Sequence, residues 1–180
     1  MAKIYLVSGG CRSGKSHFAE SLALKYKSPT YLATGQSFDD EMDQRIKRHQ
    51  NERDECFQTI EEPIDIIEPI KNLKNSDVLL WDCLTLWLSN LLCADWQEDR
   101  CLEQLSLILN TLNEAPFDSI IVSNEVGMGI VPESKLARQF RDLSGFAHQL
   151  IAPKAEEVYL VAMGIPLAMK KLSALGQGHD

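Results

Sequence analysis

A glycine-rich segment near the N-terminus has the residue types and spacing for phosphate chemistry. It reads Gly9-Gly10-Cys11-Arg12-Ser13-Gly14-Lys15-Ser16, which matches the pattern G-x4-G-K-S of a P-loop. Glycines allow backbone N–H groups to converge on phosphate oxygens, and the dipole of a following helix adds positive potential. We expect Lys15 to reach the β and γ phosphates of a nucleoside triphosphate and Ser16 to ligate Mg²⁺. The opposing interpretation is a glycine-rich turn with an incidental lysine.

A carboxylate that could assist the same metal ion follows an apolar run. Asp82 comes directly after Val78-Leu79-Leu80-Trp81, which has the composition of a buried strand. In P-loop enzymes, Mg²⁺ also interacts with an Asp at the end of a hydrophobic strand. Asp82 is therefore predicted to contact the metal, directly or through water. The alternative is that Asp82 caps the helix predicted from Leu84.

The third candidate for chemistry is a charged helical stripe within residues 39–53. Four side chains recur at i, i+4 spacing and so share one helix face, namely Glu41, Arg45, His49 and Arg53. Spacing alone leaves two interpretations open. The stripe is either a solvated face with ion pairs, or a site in which His49 is a nucleophile or acid–base group beside cationic phosphate clamps.

A second glycine-containing segment, residues 122–132, follows another predicted strand. In open α/β sheets, ligands bind at the carboxyl edge, where such segments lie. Gly127 and Gly129 allow close approach of the backbone, while Asn124 and Glu125 offer polar groups to a substrate. An ordinary strand-to-helix loop is an equal alternative.

The remaining histidines, His17, His148 and His179, are assigned structural or surface roles. His17 follows the P-loop at a helix start, His148 lies on a long amphipathic helix, and His179 lies in the tail. None of the three is predicted to be a ligand.

Five short apolar runs predict strands, and helical patterns alternate with them. This alternation implies crossover connections and a mostly parallel central sheet with helices on both faces. An extra edge strand is expected in residues 164–169, and Pro132 is expected in the first turn of the last helix, where Glu133 favours the helix dipole. The predicted strands are residues 4–8, 30–33, 78–81, 120–123 and 158–162, and the predicted helices are residues 15–26, 39–53, 64–73, 84–92, 98–113 and 132–151.

The composition indicates one α/β domain, residues 1–180, in a reducing, cytoplasmic compartment. Hydrophobic residues make up 44% and charged residues 24%, which is ordinary for a globular protein. The net charge of −8 argues against a surface for nucleic acid or anionic lipid. Five cysteines without a CxxC pair indicate neither a disulfide framework nor a zinc site. We find no signal peptide, and the most apolar window, residues 84–96, is shorter than the roughly 20 residues of a membrane helix.

Together these segments are similar to the bifunctional adenosylcobinamide kinase/adenosylcobinamide-phosphate guanylyltransferase family of cobalamin biosynthesis. Many enzymes share the P-loop, whereas the block from Asn124 to Pro132 combined with the Arg45-Ile46-x-x-His49 spacing is highly specific. The resemblance extends over essentially the whole chain, to about Leu172. The other segments that carry it are Tyr31-Leu32-Ala33-Thr34, Asp40-Glu41-Met42, Leu136-Ala137-Arg138 and Phe140-Arg141-Asp142.

The resemblance implies a RecA-like P-loop NTPase fold and a two-step reaction. A nucleoside triphosphate phosphorylates the aminopropanol hydroxyl of adenosylcobinamide, and GTP then donates GMP to that phosphate through a guanylylated histidine. His49 matches the guanylylated position, with Lys15 and Arg45 as further catalytic residues. Also implied are Mg²⁺, ATP and GTP as substrates, a small-molecule corrinoid partner, and a homo-oligomer with a trimer suspected.

The same resemblance places a set of residues around the nucleotide. The chain departs from the family at two of them, because Cys11 stands where Ala is usual and Asp82 where Glu is frequent, although the acidic function at position 82 is kept. The metal ligands are expected to be Ser16 and Asp82. The nucleotide-binding set is Gly9, Gly10, Cys11, Arg12, Ser13, Gly14, Lys15, Ser16, Thr34, Gly35, Gln36, Asn51, Glu52, Arg53, Asp54, Glu62 and Asp82.

Two other functions stay open at this point. One is a simpler small-molecule kinase, in which residues 45–53 form a cationic lid and His49 is incidental. The other is a nucleotide-binding regulator whose P-loop controls association with a partner. A covalent enzyme–GMP species separates the bifunctional enzyme from both, and corrinoid-dependent ATP turnover excludes the regulator.

Overall fold

A computed structural model describes residues 2–36 and 54–171 of the chain. Seven strands are present in this part: β1 (Ile4–Gly9), β2 (Pro29–Ala33), β3 (Gln58–Glu61), β4 (Val78–Asp82), β5 (Asp118–Asn124), β6 (Glu157–Ala162) and β7 (Ile165–Lys170). They form one sheet in the spatial order β3-β2-β4-β5-β1-β6-β7. Neighbouring strands from β3 to β6 pair in parallel, and β7 pairs antiparallel with β6.

The helices of the described residues cover both faces of this sheet. They are α1 (Lys15–Ala23), α2 (Ile67–Asn72), α3 (Leu84–Cys93), α4 (Glu98–Glu114) and α5 (Lys135–Ile151). Helix α1 packs on one face, where Ala19 lies in a core with Tyr31 and Val122. The other helices contribute to the larger core on the opposite face, which includes Trp87 and Leu105. Within residues 2–36 and 54–171, no helix is both long and apolar enough to span a membrane.

The predicted α/β architecture with a mostly parallel sheet is confirmed. The five predicted strands are present with ends that differ by at most two residues, and the extra edge strand expected in residues 164–169 is β7. Burial on both faces explains why the apolar runs were nearly continuous, since a strand covered by helices on both sides has no solvent-facing positions. The central strand β4, for example, is buried from Val78 to Trp81.

Strand β3 is absent from the sequence prediction. Gln58, Thr59 and Glu61 are exposed and Ile60 is partly buried, so the segment lacks the apolar run of a central strand. It lies at the edge of the sheet and pairs in parallel with β2. Backbone pairing, which has no side-chain signature here, therefore determines this strand.

The last helix begins later than predicted, at Lys135 rather than near Pro132. Ser134 is its N-cap residue, and the Ser134 hydroxyl accepts a hydrogen bond from the N–H of Ala137 at 3.5 Å. The carbonyl of Pro132 instead accepts a hydrogen bond from the Arg138 guanidinium at 3.0 Å. The capping preference of serine thus outweighs the preference of proline for a first helical turn.

Two other helices are shorter than predicted. Helix α1 ends at Ala23 instead of Tyr26, and the N–H groups of Lys25 and Tyr26 bond to carbonyls three residues earlier. The Tyr26 hydroxyl donates to Asp118 of β5 at 2.7 Å. Helix α2 begins at Ile67 instead of residue 64, since the preceding N–H groups bond to the carboxylate of Glu62. The helix predicted for residues 39–53 lies outside the described residues.

A buried amide joins the ends of two strands to a helix. Asn90 of α3 is 3% exposed, and its Nδ2 donates to the carbonyls of Thr34 at 2.7 Å and Pro63 at 2.9 Å. Thr34 follows β2 and Pro63 lies just after β3, so one side chain fixes both chain segments where they leave the sheet.

Replacement of Asn90 by alanine is expected to lower the free energy of unfolding by about 1–3 kcal/mol, because two carbonyls lose a donor inside the protein. Denaturant titration followed by circular dichroism measures this change. The matched control is Asn110→Ala, which removes an exposed amide of α4 and should change stability by less than about 0.5 kcal/mol. Equal losses in the two variants would contradict this role for Asn90.

Candidate functional site

The P-loop connects β1 to α1 at the carboxyl edge of the sheet. Arg12 and Gly14 adopt left-handed backbone conformations, with φ of 55° and 92°. A hydrogen bond from the Ser13 N–H to the Gly10 carbonyl, at 3.3 Å, closes the turn. The N–H of Phe18 already bonds to the Gly14 carbonyl at 3.0 Å, so the helix begins where the loop ends. The strand, loop and helix context predicted for the motif is confirmed.

Two glycines of this loop occupy positions that have no room for a side chain. A Cβ on Gly9 would lie 2.5 Å from both the Ser13 hydroxyl oxygen and the Val161 carbonyl oxygen. A Cβ on Gly14 would lie 3.1 Å from the Cα of Gly164, in addition to the cost of its positive φ. The loop therefore keeps its shape by packing directly against backbone.

The turn between β6 and β7 supports the P-loop from one side. Met163 and Gly164 have φ of 53° and 79°, which is the pattern of a two-residue type I′ hairpin. The N–H of Gly164 donates to the carbonyl of Ser13 at 2.8 Å. This bond fixes the peptide group between Ser13 and Gly14. The contact was not predicted from the sequence.

Lys15 occupies the first turn of α1 and is 7% exposed. Its Nζ lies 3.5 Å from the carbonyl of Gly10, so the side chain folds back over the loop. The first turn of α1 contains no acidic residue, which leaves the positive end of the helix dipole unneutralised by its own helix. The half-buried Ser16 follows on the same turn. The P-loop and the N-terminus of α1 therefore form a local positive site for phosphate, although the chain as a whole has a net charge of −8.

Asp82 lies at the end of β4, two strands from the P-loop strand. Its Oδ2 accepts a hydrogen bond from the Tyr31 hydroxyl at 2.7 Å. The N-cap residue of α3 is Cys83, and its side chain makes no capping hydrogen bond. The Asp82 carboxylate is therefore held by Tyr31 and does not cap the N-terminus of α3. This arrangement favours the metal interpretation over the helix cap.

The buried thiol of Cys83 is influenced by the charges of both Asp82 and Lys15. Burial raises the pKa of Cys83 to about 11, and the charge of Asp82 adds to this increase. The charge of Lys15 acts on the same thiol in the opposite direction. The charges of Asp82 and of the P-loop lysine therefore both act on this thiol.

The segment Thr34 to Gln36 leaves β2 beside Asp82. The Thr34 hydroxyl accepts a hydrogen bond from the Cys83 N–H at 3.0 Å and donates to the Cys83 carbonyl at 2.8 Å. The Asp82–Cys83 peptide bond is cis. Gly35 and Gln36 are partly buried. The structure thus places these three predicted nucleotide contacts at the carboxyl edge, next to the acidic residue.

Two other predicted nucleotide contacts take part in local hydrogen bonds. One carboxylate oxygen of Glu62 accepts hydrogen bonds from the N–H groups of Ile64 and Asp65, both at 3.0 Å, and thereby shapes the turn after β3. Asp54 is exposed, and a hydrogen bond from the Cys56 N–H at 3.0 Å lowers the pKa of its carboxyl group. A nucleotide contact for either residue stays a prediction.

Five predicted site residues lie outside the described part of the chain, namely Arg45, His49, Asn51, Glu52 and Arg53. The last described residue before them is Gln36, three residues beyond the carboxyl end of β2. The chain therefore leaves the described structure at the same sheet edge that carries the P-loop. Their roles stay predictions.

His148, which the sequence analysis assigned to a structural or surface role, lies beside the carboxyl end of β5. Its Nε2 is 2.7 Å from the Ser123 hydroxyl oxygen and its Nδ1 is 3.8 Å from Oε2 of Glu125. Burial lowers the pKa of His148, although the Glu125 charge opposes this, and the ring is neutral at pH 7. The signal in the sequence that indicates this buried position is helical spacing, because His148 shares the buried face of α5 with Ser144 and Ile151.

Some buried polar atoms around the loop have no partner within the described residues. Among them are the hydroxyls of Ser8 and Ser13 and the Oδ1 of Asn124. Buried polar groups in native proteins are nearly always paired with protein, water or ligand. Ser8 and Asn124 lie at the ends of adjacent strands, so these atoms mark an edge where a ligand or ordered water would complete the hydrogen bonding.

Comparison with solved structures confirms the P-loop NTPase fold. An ATPase from the type III secretion system of pathogenic bacteria superposes with a TM-score of 0.57 at 9% identity, over 92% of this chain and 56% of that chain. The RadB recombinase gives a TM-score of 0.51 at 15% identity, over 88% of this chain and 73% of that chain. At such low identity these likenesses concern the fold alone.

Sequence comparison is more specific. Residues 5–169 match the model of the cobinamide kinase / cobinamide phosphate guanyltransferase family. The bifunctional adenosylcobalamin biosynthesis protein CobP of Pseudomonas aeruginosa is 40% identical over 92% of this chain and 96% of its own length. The CobU protein of Escherichia coli is 39% identical over 92% and 98%. Since these matches extend over nearly the whole length, the chain belongs to the cobinamide kinase / cobinamide phosphate guanyltransferase family, as its motifs predicted.

Proposed function

We propose that this enzyme carries out two consecutive steps of cobalamin biosynthesis on one nucleotide-binding domain, residues 1–180. In the first step, a nucleoside triphosphate phosphorylates the aminopropanol hydroxyl of adenosylcobinamide. In the second, GTP donates GMP to the new phosphate and pyrophosphate leaves. The observation that carries this proposal is the buried Lys15 of a correctly formed P-loop, in a chain that matches the family from residue 5 to residue 169.

The P-loop binds the phosphates of the nucleotide in this proposal. Backbone N–H groups between Gly9 and Ser16 point their dipoles at the phosphate oxygens, and Lys15 neutralises charge on the β and γ phosphates. Thr34, Gly35, Gln36, Asn51, Glu52, Arg53, Asp54, Glu62 and Asp82 complete the nucleotide site. Support for this comes from the position of the Thr34 segment and Glu62, which follow β2 and β3 at the carboxyl edge.

His49 is the nucleophile of the second step. A neutral imidazole attacks the α-phosphorus of GTP, the bond to the β-phosphate breaks, and pyrophosphate leaves with its electron pair. The resulting N–P bond carries GMP until the phosphate of the corrinoid displaces it. Arg45 and Arg53 neutralise the negative charge that grows on the phosphoryl oxygens. The support is the Arg45-Ile46-x-x-His49 spacing within a chain of this family.

The residues at the sheet edge fit a magnesium ion that the nucleotide shares. Ser16 contributes a hydroxyl on the first turn of α1, and Asp82 contributes a carboxylate that Tyr31 orients. Within residues 2–36 and 54–171, no group of three or more His, Cys, Asp or Glu residues forms a metal cage. Mg²⁺ is commonly held by one or two carboxylates together with substrate phosphates, and when bound it neutralises charge on the phosphate oxygens.

We further propose that the enzyme is a cytoplasmic homo-oligomer, and a trimer in particular. Strand β7 is an edge strand whose apolar side chains Ile165, Leu167 and Met169 are 60%, 52% and 67% exposed. An uncovered apolar edge strand presents both unpaired backbone groups and apolar surface to another chain. A second copy of the protein is the occupant that the family expectation favours.

Replacement of Asp82 by asparagine should raise the Mg²⁺ concentration needed for half-maximal phosphorylation by about tenfold, because the site loses a charged ligand. Steady-state rates measured across a Mg²⁺ series test this. Tyr31→Phe is the matched variant, since it keeps the carboxylate and removes only its hydrogen bond, and it should give a smaller shift. An Asp82→Asn enzyme with the parent's rate and Mg²⁺ dependence would show that Asp82 does not serve the metal.

Replacement of His49 by alanine should separate the two activities. Labelling of the protein by α-labelled GTP and formation of the GDP-linked corrinoid should disappear, while phosphorylation of adenosylcobinamide continues, since in-line phosphoryl transfer needs no covalent enzyme intermediate. Denaturing electrophoresis detects the label. In the parent, acid should release the label and base should not, because protonation makes the imidazole of a phosphoramidate a good leaving group.

The control for this experiment is His179→Ala, which alters a histidine outside the predicted site and should keep the label. Persistent labelling of the His49→Ala protein, or an acid-stable adduct in the parent, would assign the GMP to a different residue.

A further inference from the structure

Glu125 is a carboxylate at the sheet edge to which the roles above assign no function. It follows β5 directly, and its backbone N–H donates to the carbonyl of Gly9 at 2.9 Å. This bond places Glu125 beside the first residue of the P-loop. Strand β5 lies between β4 and β1, so Glu125 follows the strand between Asp82 and the P-loop. Its side chain is 21% exposed and is therefore accessible to a ligand.

The Glu125 carboxylate has one hydrogen bond and one longer contact. Oε1 accepts a hydrogen bond from the N–H of Gly127 at 2.6 Å, and Oε2 lies 3.8 Å from Nδ1 of His148. The other ring nitrogen of His148 is 2.7 Å from the Ser123 hydroxyl oxygen. With the proton on Nδ1, the ring N–H faces the Glu125 carboxylate and Nε2 is free to accept a hydrogen bond from the Ser123 hydroxyl. The contact with Ser123 fixes the orientation of the ring.

The sequence of contacts from Ser123 through His148 to Glu125 has the form of a hydrolase triad, but burial excludes that function. A nucleophilic serine must reach its substrate. Ser123 is 0% exposed, so nothing outside the core can contact its hydroxyl. The side chains of His148 and Glu125 are 16% and 21% exposed. The contacts therefore run outward from the core and end at the Glu125 carboxylate.

We propose that Glu125 is the general base of the phosphorylation step and that His148 is the residue that positions it. The proton of the acceptor hydroxyl moves to the Glu125 carboxylate as the hydroxyl oxygen bonds to the γ-phosphorus. The bond between that phosphorus and the β–γ bridging oxygen breaks, and the nucleoside diphosphate leaves with the electron pair. This assignment rests on the kinase activity of the family and does not involve His49.

Asp82, the acidic side chain proposed above for the metal ion, has different surroundings. The Tyr31 hydroxyl donates to Asp82, and the charges of Asp82 and Lys15 both act on the Cys83 thiol. A carboxylate oriented in this way suits a magnesium ion, which prefers oxygen ligands. Glu125 is instead approached by a neutral imidazole and a backbone N–H, which orient the carboxylate without adding a positive charge.

The two reactions of the enzyme differ in their need for a base. The first acceptor is an alcohol, whose proton must be removed. The second acceptor is a phosphate monoester, which is mostly dianionic above its second pKa of about 6 and has no proton to lose. A general base therefore affects the first reaction far more than the second. A residue needed only for folding or for nucleotide binding affects both reactions alike.

Glu125→Gln tests the base directly, because it keeps the shape of the side chain and removes its basicity. We expect kcat for phosphorylation of adenosylcobinamide to fall about 100-fold, the lower end of the contribution of a positioned base. The rate of GMP transfer to supplied adenosylcobinamide phosphate should fall much less, so that the ratio of the two rates changes by at least about tenfold. Equal losses in both reactions would overturn the assignment.

The role of His148 is tested with a matched pair of amides. The amide of asparagine reaches about the position of Nδ1 and can still face Glu125, whereas the longer glutamine reaches the position of Nε2 and keeps only the contact with Ser123. We expect His148→Gln to lower kcat for phosphorylation about tenfold with little change in KM for the nucleotide. The His148→Asn enzyme should instead keep most of the parent's phosphorylation rate. The reverse order, or a selective loss of GMP transfer, would overturn the positioning role.

A double variant distinguishes positioning from general stabilisation. If His148 acts through Glu125, adding His148→Gln to Glu125→Gln should lower the phosphorylation rate little further, because the function it supports is already lost. Multiplicative losses would instead contradict the proposal. Labelling by α-labelled GTP in the same proteins reports the guanylyl-histidine separately, so a failure of the His49 assignment is visible without affecting this test.

Discussion

The shape of the P-loop depends on close packing of backbone against backbone. Gly9 contacts the carbonyl of Val161 and Gly14 contacts Gly164 at distances that leave no space for a methyl group. The loop is therefore confined between β1 and the turn that follows β6, and the Gly164 N–H holds the Ser13 carbonyl. Because these contacts fix the peptide groups, the amide dipoles are oriented before a nucleotide arrives, and little reorganisation is needed on binding.

The charged side chains around this loop occupy separate positions with different surroundings. The overall charge is −8, yet the first turn of α1 has no acidic residue and Lys15 is buried over the loop. Asp82 is the last residue of β4 and Glu125 directly follows β5, the strand that lies between β4 and β1. A tyrosine orients the first carboxylate and a neutral histidine approaches the second. Two carboxylates at the same sheet edge thus have different surroundings, and this difference is the basis for proposing a metal role for Asp82 and a proton-transfer role for Glu125.

Much of this arrangement could be predicted from the sequence, because the strongest signals are local. Continuous apolar runs identified the buried strands, and the P-loop pattern identified the loop that follows β1. Strand β3 was missed because its pairing with β2 is made by backbone groups of exposed residues. His148 was assigned no function because its partners, Ser123 and Glu125, are more than 20 residues away in sequence and meet it only in the folded chain.

The contact between Gly164 and Ser13 joins two segments that are far apart in the sequence. This separation affects the order in which the site can form during synthesis. The P-loop is translated well before the turn that supports it. Strand β1 also pairs with β5 and β6, both of which are translated late. A nascent chain therefore carries the complete motif without the means to hold its shape. Nucleotide binding, which stabilises only the native form, therefore requires segments that are translated long after the motif itself.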